Sequence, residues 1–317
     1  MGLKLKILFV GILLSSDASA YVFFKEPKKI PEAPSLPSVV YGTDDRGEIL
    51  PTTHPILKAA FASTANMIPS RSIFKNPSDG SFTIDSRRLG DTAALCKGEP
   101  FADQFAPGEC TGFLITEDLL LTAGHCVPTQ MECTFFNWVF DFKQDLVGTA
   151  ALPVVQPDQV YSCKRILAVR TQIIGEDWSL VELDRPVTGR AGLPIRKTGT
   201  VADVAAIGTV GYPNGIPAKA IDNGFIRTNT DPNFFTAVLD TFGGNSGSPI
   251  LNLVSGEVEG LLISGEDDFE EDKRAGCWRV KKCTTLGCKG ETVLRVTTVR
   301  NTLAQLMLPE LTKWLTP

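Results

Sequence analysis

An alcohol becomes a nucleophile only when a base takes its proton and donors meet the oxyanion it creates. The stretch Asp240-Thr241-Phe242-Gly243-Gly244-Asn245-Ser246-Gly247-Ser248-Pro249 holds a serine in a setting that offers the donors. Gly243, Gly244 and Gly247 let the backbone turn sharply and approach a substrate with no Cβ in the way. In such a turn the N–H groups of Gly244 and Ser246 point at one spot and form an oxyanion hole. A plain hairpin loop is the other reading of this composition.

Two further stretches decide between them. Leu120-Leu121-Thr122-Ala123-Gly124-His125-Cys126 ends an apolar strand with a histidine among small residues, and Glu176-Asp177-Trp178-Ser179-Leu180-Val181 sets an aspartate just before another. His125 is the base and Asp177 its orienting carboxylate. Asp184 is the rival carboxylate, but it stands at the far end of that strand beside Pro186, where a turn residue belongs. The chain order His, Asp, Ser is that of the chymotrypsin arrangement and differs from the subtilisin and α/β-hydrolase orders.

With these three motifs in this order, the chain from Val39 onward resembles the chymotrypsin-like (trypsin-like) serine proteases. Gly-Asn-Ser-Gly-Ser-Pro at 244–249 is similar to the bacterial glutamyl endopeptidase branch, as is Val39-Val40-Tyr41-Gly42-Thr43-Asp44-Asp45-Arg46 to the start of its mature enzymes. The resemblance implies an all-β fold of two six-stranded antiparallel β-barrels with a C-terminal helix, and a peptide bond cut through an acyl-enzyme. It implies that Ile263, Ser264 and Gly265 bind extended substrate along a strand edge, with Asp240 and Thr241 in the specificity pocket. It also implies a Cys110–Cys126 bridge pinning the histidine loop. The branch reads glutamate with a strand histidine whose place here falls on Leu262, which argues against that preference. Asp240, six residues before Ser246, lies where trypsin carries its pocket aspartate, so the preference leans to Arg or Lys, with Glu266 and Glu291 adding negative charge at the pocket mouth.

Stepping outward, short apolar runs recur between Gly, Pro and Asn/Asp punctuation: 135–140, 165–169, 178–183, 204–207, 234–239 and 258–263. Such spacing indicates an all-β sandwich or barrel. From Thr52 to Gln104 the pattern is weak and reads as short strands and loops wrapping the first barrel, with His54 a surface residue of no role. The last segment, Val299 to Leu315, carries apolar residues at Leu303, Leu306, Leu311, Trp314 and Leu315 with roughly helical spacing, interrupted by Pro309.

Residues 1–20 read as a secretory signal: Lys4 and Lys6, an apolar core from Ile7 to Leu14, and Ala18-Ser19-Ala20 as the cleavage site. That core is too short to span a bilayer comfortably. The expected organisation is a signal at 1–20, a proline-rich propeptide at 21–38, a first barrel at 39–185 with His125 and Asp177, and a second at 186–317 with Ser246. Export from a bacterial cell, to the medium or the periplasm, makes the eight cysteines disulfide partners. Cys133 and Cys163, which flank the next strands, form a second pair, while Cys96, Cys277, Cys283 and Cys288 leave three connectivities open. A zinc site on the last three has no histidine near it, and the acidic run 266–272 lacks the spacing of a calcium loop, so no metal or cofactor is expected. A net charge of −5 gives no footprint for nucleic acid. The expected partners are protein or peptide substrates, with no stable membrane association once the signal is removed and a monomeric state. The alternative function, a catalytically silent homologue that only binds, would be signalled by loss of a triad residue, and all three are present.

Overall fold

Strands with one apolar face must bury it, and sheets of this size do so by curling until their edges meet. The computed structural model describes residues 40–144, 151–172, 175–285 and 287–305. The expected signal, the whole propeptide stretch and the apolar positions beyond Gln305 lie outside the described residues.

The described residues open with two short strands, β1 (Val40–Tyr41) and β2 (Gly47–Glu48), then helix α1 (Pro55–Phe61). The first barrel is built from β3 (Thr64–Pro69), β6 (Cys110–Leu114), β7 (Leu119–Thr122), β8 (Phe136–Phe140), β10 (Val160–Thr171) and β11 (Asp177–Leu183). Antiparallel pairing runs β10-β11-β7-β6-β3-β8 and returns to β10, so the sheet closes. A small sheet of β4 (Ile73–Lys75), β5 (Phe82–Ile84) and β9 (Val154–Val155) stands apart, and the short helices α2 (Leu89–Thr92) and α3 (Gln130–Phe135) fill the connections. Phe113, Leu120, Leu121, Trp138, Phe140, Trp178 and Leu180 are fully buried in its core. Each stabilises the fold by about 1.5–3 kcal/mol relative to an exposed position.

The second barrel comprises β12 (Ala206–Gly211), β13 (Lys219–Thr228), β14 (Phe234–Val238), β15 (Pro249–Asn252), β16 (Val258–Ser264) and β20 (Glu291–Arg295). Its order β12-β15-β16-β20-β14-β13 closes through β12–β13, and β2 adds to the free edge of β13. The hairpin β17 (Phe269–Asp272) and β18 (Cys277–Val280) projects from it, and β19 (Lys282–Cys283) pairs in parallel with β1. Helix α4 (Val296–Gln305) follows β20 directly and buries Val296, Val299 and Leu303. It thus begins earlier than the expected Val299. Two closed six-stranded antiparallel barrels and a C-terminal helix make this a chymotrypsin-like fold.

Three local readings need correction. The stretch 52–104 contributes a full barrel strand, β3, and the helix α1 rather than only a wrapping. His54 has a role there: its Nδ1 accepts from the Ile56 N–H at 3.3 Å and caps the helix ahead of Pro55. Val204 lies outside β12 and is almost fully exposed.

The cysteines are bonded as Cys96–Cys277, Cys110–Cys126, Cys133–Cys163 and Cys283–Cys288. Among the described residues no helix is long and apolar enough to cross a membrane.

Candidate active site

His125 sits in the tight turn Gly124–Cys126 that leaves β7. A Cβ on Gly124 would lie 2.0 Å from the Arg170 carbonyl and 2.7 Å from Asp177 Oδ1, so only glycine lets this turn press against the start of β11. The Cys110–Cys126 bridge fixes the turn's far end to β6. Asp177, the first residue of β11, then meets His125 twice. Its Oδ1 accepts from the His125 backbone N–H at 2.8 Å, and its Oδ2 lies 2.6 Å from Nδ1. A carboxylate only accepts, so Nδ1 carries the proton and Nε2 is left as the acceptor. The imidazole is 31% exposed, open on one side to a substrate. Asp184 is spent elsewhere, accepting from the Ser162 N–H at 3.1 Å and pairing with Arg185.

Ser246 is buried at the end of a two-turn loop. The Asn245 N–H donates to the Phe242 carbonyl and the Ser248 N–H to that of Asn245, both within 2.9 Å. Gly247 takes φ +86°, and a Cβ there would meet the Thr111 carbonyl at 2.2 Å and Thr122 Oγ1 at 2.4 Å. The serine is thereby seated on the strand ends that carry the histidine turn. Its carbonyl accepts from the Thr111 N–H at 2.9 Å, next to Cys110. Gly244 has φ +85° and lies against the Tyr212 carbonyl, where a Cβ would come within 2.5 Å. Among the described residues neither the Gly244 nor the Ser246 N–H meets an acceptor, which suits donors reserved for a ligand.

Beyond Leu262 the strand β16 has lost β15 as a neighbour and pairs only with β20, Ser264 facing Thr292. Ile263 is buried at a register shift, whereas Ser264 and Gly265 are half-exposed. One edge of the strand is therefore open at these residues. The surroundings of Asp240 and Thr241 are acidic and buried. Both Asp240 oxygens accept backbone N–H groups of the amino-terminal segment, from Tyr41 at 2.7 Å and Asp45 at 3.0 Å. Thr241 Oγ1 donates to Glu291 at 2.7 Å, and the Tyr41 hydroxyl reaches the other oxygen of that carboxyl at 3.4 Å. Burial holds Glu291 well above the ordinary carboxylate range. Burial, with the Asp240 carboxyl beside it, pushes Asp45 up to about 8, and neither of its oxygens finds a nitrogen or hydroxyl donor.

Glu266 is engaged with the Lys289 N–H at 2.7 Å and with Lys281, which hold it below its usual range. The acidic run is thus no uniform solvated face. Asp268 within it turns inward and accepts from the Gly243 N–H and from Asn214 Nδ2. Asp45, Asp268, Asn214 and Thr111 are the site residues that sequence reasoning missed. Asp45 stood within the amino-terminal motif and Asn214 within a Pro-Asn-Gly turn, yet nothing local marked either for the site.

Residues 110–261 match the family model described as a trypsin-like peptidase domain. Over 170 residues the chain is 29% identical to the secreted RxLR effector protein 73 of Plasmopara viticola, covering 49% of this chain and 41% of that protein. The chain thus spans less than half the length of that curated relative. Among solved structures it is similar to a Glu endopeptidase in complex with MPD, with TM-score 0.47 and 15% identity over 85% of this chain and 100% of the other. A serine endoprotease from Yersinia pestis gives TM-score 0.46 and 11% identity over 81% of this chain and 68% of the other.

Proposed function

Starting from a chain that carries a trypsin-like peptidase domain over residues 110–261, we propose that it is an exported serine endopeptidase working through His125, Asp177 and Ser246. The observation that carries this reading is the double grip of Asp177 on His125, which fixes the ring's position and its tautomer together. His125 Nε2 takes the Ser246 proton as Oγ attacks the peptide carbonyl. The developing oxyanion is met by the Gly244 and Ser246 N–H groups. The imidazolium, steadied by Asp177, then gives its proton to the leaving amine, and water repeats the sequence on the acyl-enzyme. Extended substrate pairs with the open edge at Ser264 and Gly265. Export is supported by the leader pattern of residues 1–20 and by four disulfides.

The side chain before the cut bond is read as Arg or Lys. Its support is the place of Asp240 in the sequence, six residues before Ser246, where trypsin carries its pocket aspartate. Maturation near Val39, removing residues 21–38, completes the reading. A mass-spectrometric cleavage profile on a diverse peptide mixture tests it, with processed protein and Ser246→Ala run side by side. Cuts after Arg and Lys that vanish in the variant are expected. Cuts after Glu would overturn the basic preference, and no Ser246-dependent cleavage by the matured chain would overturn the protease.

A further inference from the structure

An oxyanion donor is useful only if its peptide plane stays put, and the Gly243–Gly244 peptide has a glycine on each side. Glycine rotates through both halves of φ/ψ space at little cost, so this plane has no intrinsic reason to present the Gly244 N–H to the substrate. Something outside the loop must fix it. The Gly243 carbonyl accepts from the Asn214 backbone N–H. In a trans peptide the C=O and N–H point opposite ways, so this bond turns the Gly244 N–H outward. The preceding peptide is held as well. The Gly243 N–H donates to both oxygens of Asp268, at 3.1 and 3.0 Å.

The two anchors are themselves joined. Asn214 Nδ2 donates to Asp268 Oδ2 at 2.6 Å, closing a ring of hydrogen bonds around the Gly243 Cα. Asn214 stands at φ +50°, a left-handed backbone that asparagine tolerates better than most residues. The fit is close: a Cβ on Gly243 would lie 3.2 Å from Asp268 Oδ2. We propose that Asp268 and Asn214 are positioning residues that lock the Gly243–Gly244 peptide so that the Gly244 N–H faces the oxyanion. This rests on the serine-protease reading above and assigns the upkeep of that site's electrophilic half to two residues outside its loop.

The lock is sensitive to protons. Burial pushes Asp268 up to about 7, against the donation it receives from Asn214 and Gly243. The charges that face it are Arg46, which favours its anion, and Asp267, which opposes it, while Glu291 lies near enough to be raised by it. Protonation weakens Asp268 as an acceptor for the Gly243 N–H.

The test compares matured wild type, Asp268→Asn and Asn214→Gly, the latter keeping the left-handed turn and its backbone donor. A fluorophosphonate probe and steady-state kinetics on one cleaved peptide are the readouts, with thermal unfolding to verify folding. Removing one oxyanion donor outright costs about 10²–10³ in kcat. Loosening one is therefore expected to lower kcat roughly 30-fold in Asp268→Asn and about tenfold in Asn214→Gly, with KM within about twofold. The acid limb of the wild-type kcat profile should be steeper than one titration and fall back to a single titration in Asp268→Asn. Unchanged kcat and an unchanged acid limb in both folded variants would overturn the lock alone. A matured wild type that neither reacts with the probe nor cleaves would overturn the protease reading, and the lock with it.

Discussion

At the scale of single residues, Asp177 satisfies two donors of one histidine, and this fixes what its amide should do. Asp177→Asn keeps the size but offers an N–H where Nδ1–H needs an acceptor, so the ring takes the wrong tautomer. The expected loss is about 10⁴-fold in kcat with an intact fold, measured on the peptide that wild type cleaves best. Asp45 makes the contrasting case, a carboxyl held where no donor reaches it. Its folded pKa, about 8, lies above the ordinary aspartate value of 3.8, so the folded chain holds this proton more tightly than the unfolded one. The associated stability is complete below about pH 4 and is lost as pH rises towards 8. Asp45→Asn should therefore match wild type in Tm near pH 4 and exceed it by about 3–5 °C at pH 8 in thermal scans. The proposed triad could be picked out in the sequence because each member sits in a short stretch of unusual composition. Asp45 and Asp268 were not, since burial turns an ordinary acidic residue into a special one and burial is a property of the fold.

At the scale of elements, the alternating apolar runs were readable because each strand buries its own side chains. Phe234–Val238 and Val258–Ser264 fell almost where their patterns placed them. The stretch before Gln104 resisted because α1 is only seven residues long and is started by a histidine cap with a proline inside the first turn. The Cys96–Cys277 bridge was equally unreadable, joining residues 181 apart, the loop after α2 to strand β18. Closing so long a loop constrains the unfolded chain strongly. Replacing both cysteines by serine should cost about 3–5 kcal/mol, seen as a Tm lower by roughly 10 °C. Cleavage at 25 °C should persist, because neither sulfur touches His125, Asp177 or Ser246.

At the scale of the whole molecule, one residue of the first barrel holds the Ser246 loop of the second. Thr111, on β6, spends three of its four polar links across the divide. Its N–H donates to the Ser246 carbonyl at 2.9 Å, its hydroxyl donates to the Gly244 carbonyl at 2.8 Å, and that hydroxyl accepts from the Tyr212 N–H at 3.1 Å. The fourth stays at home, its carbonyl accepting from Thr122 Oγ1 at 2.7 Å. Valine has the shape of threonine without the hydroxyl, so Thr111→Val leaves the buried Tyr212 N–H and the half-buried Gly244 carbonyl without this partner. Each unpaired group costs about 1–3 kcal/mol, which in a domain of this size lowers Tm by on the order of 5–10 °C. Thr122→Val is the matching control, since it strands only the Thr111 carbonyl, inside the first barrel. If the barrels share one catalytic geometry through Thr111, both variants lose stability but only Thr111→Val also loses about tenfold in kcat at unchanged KM. Equal kcat in the two, at matched fraction folded, would mean that the loop holds its shape without the first barrel and that Thr111 serves stability alone.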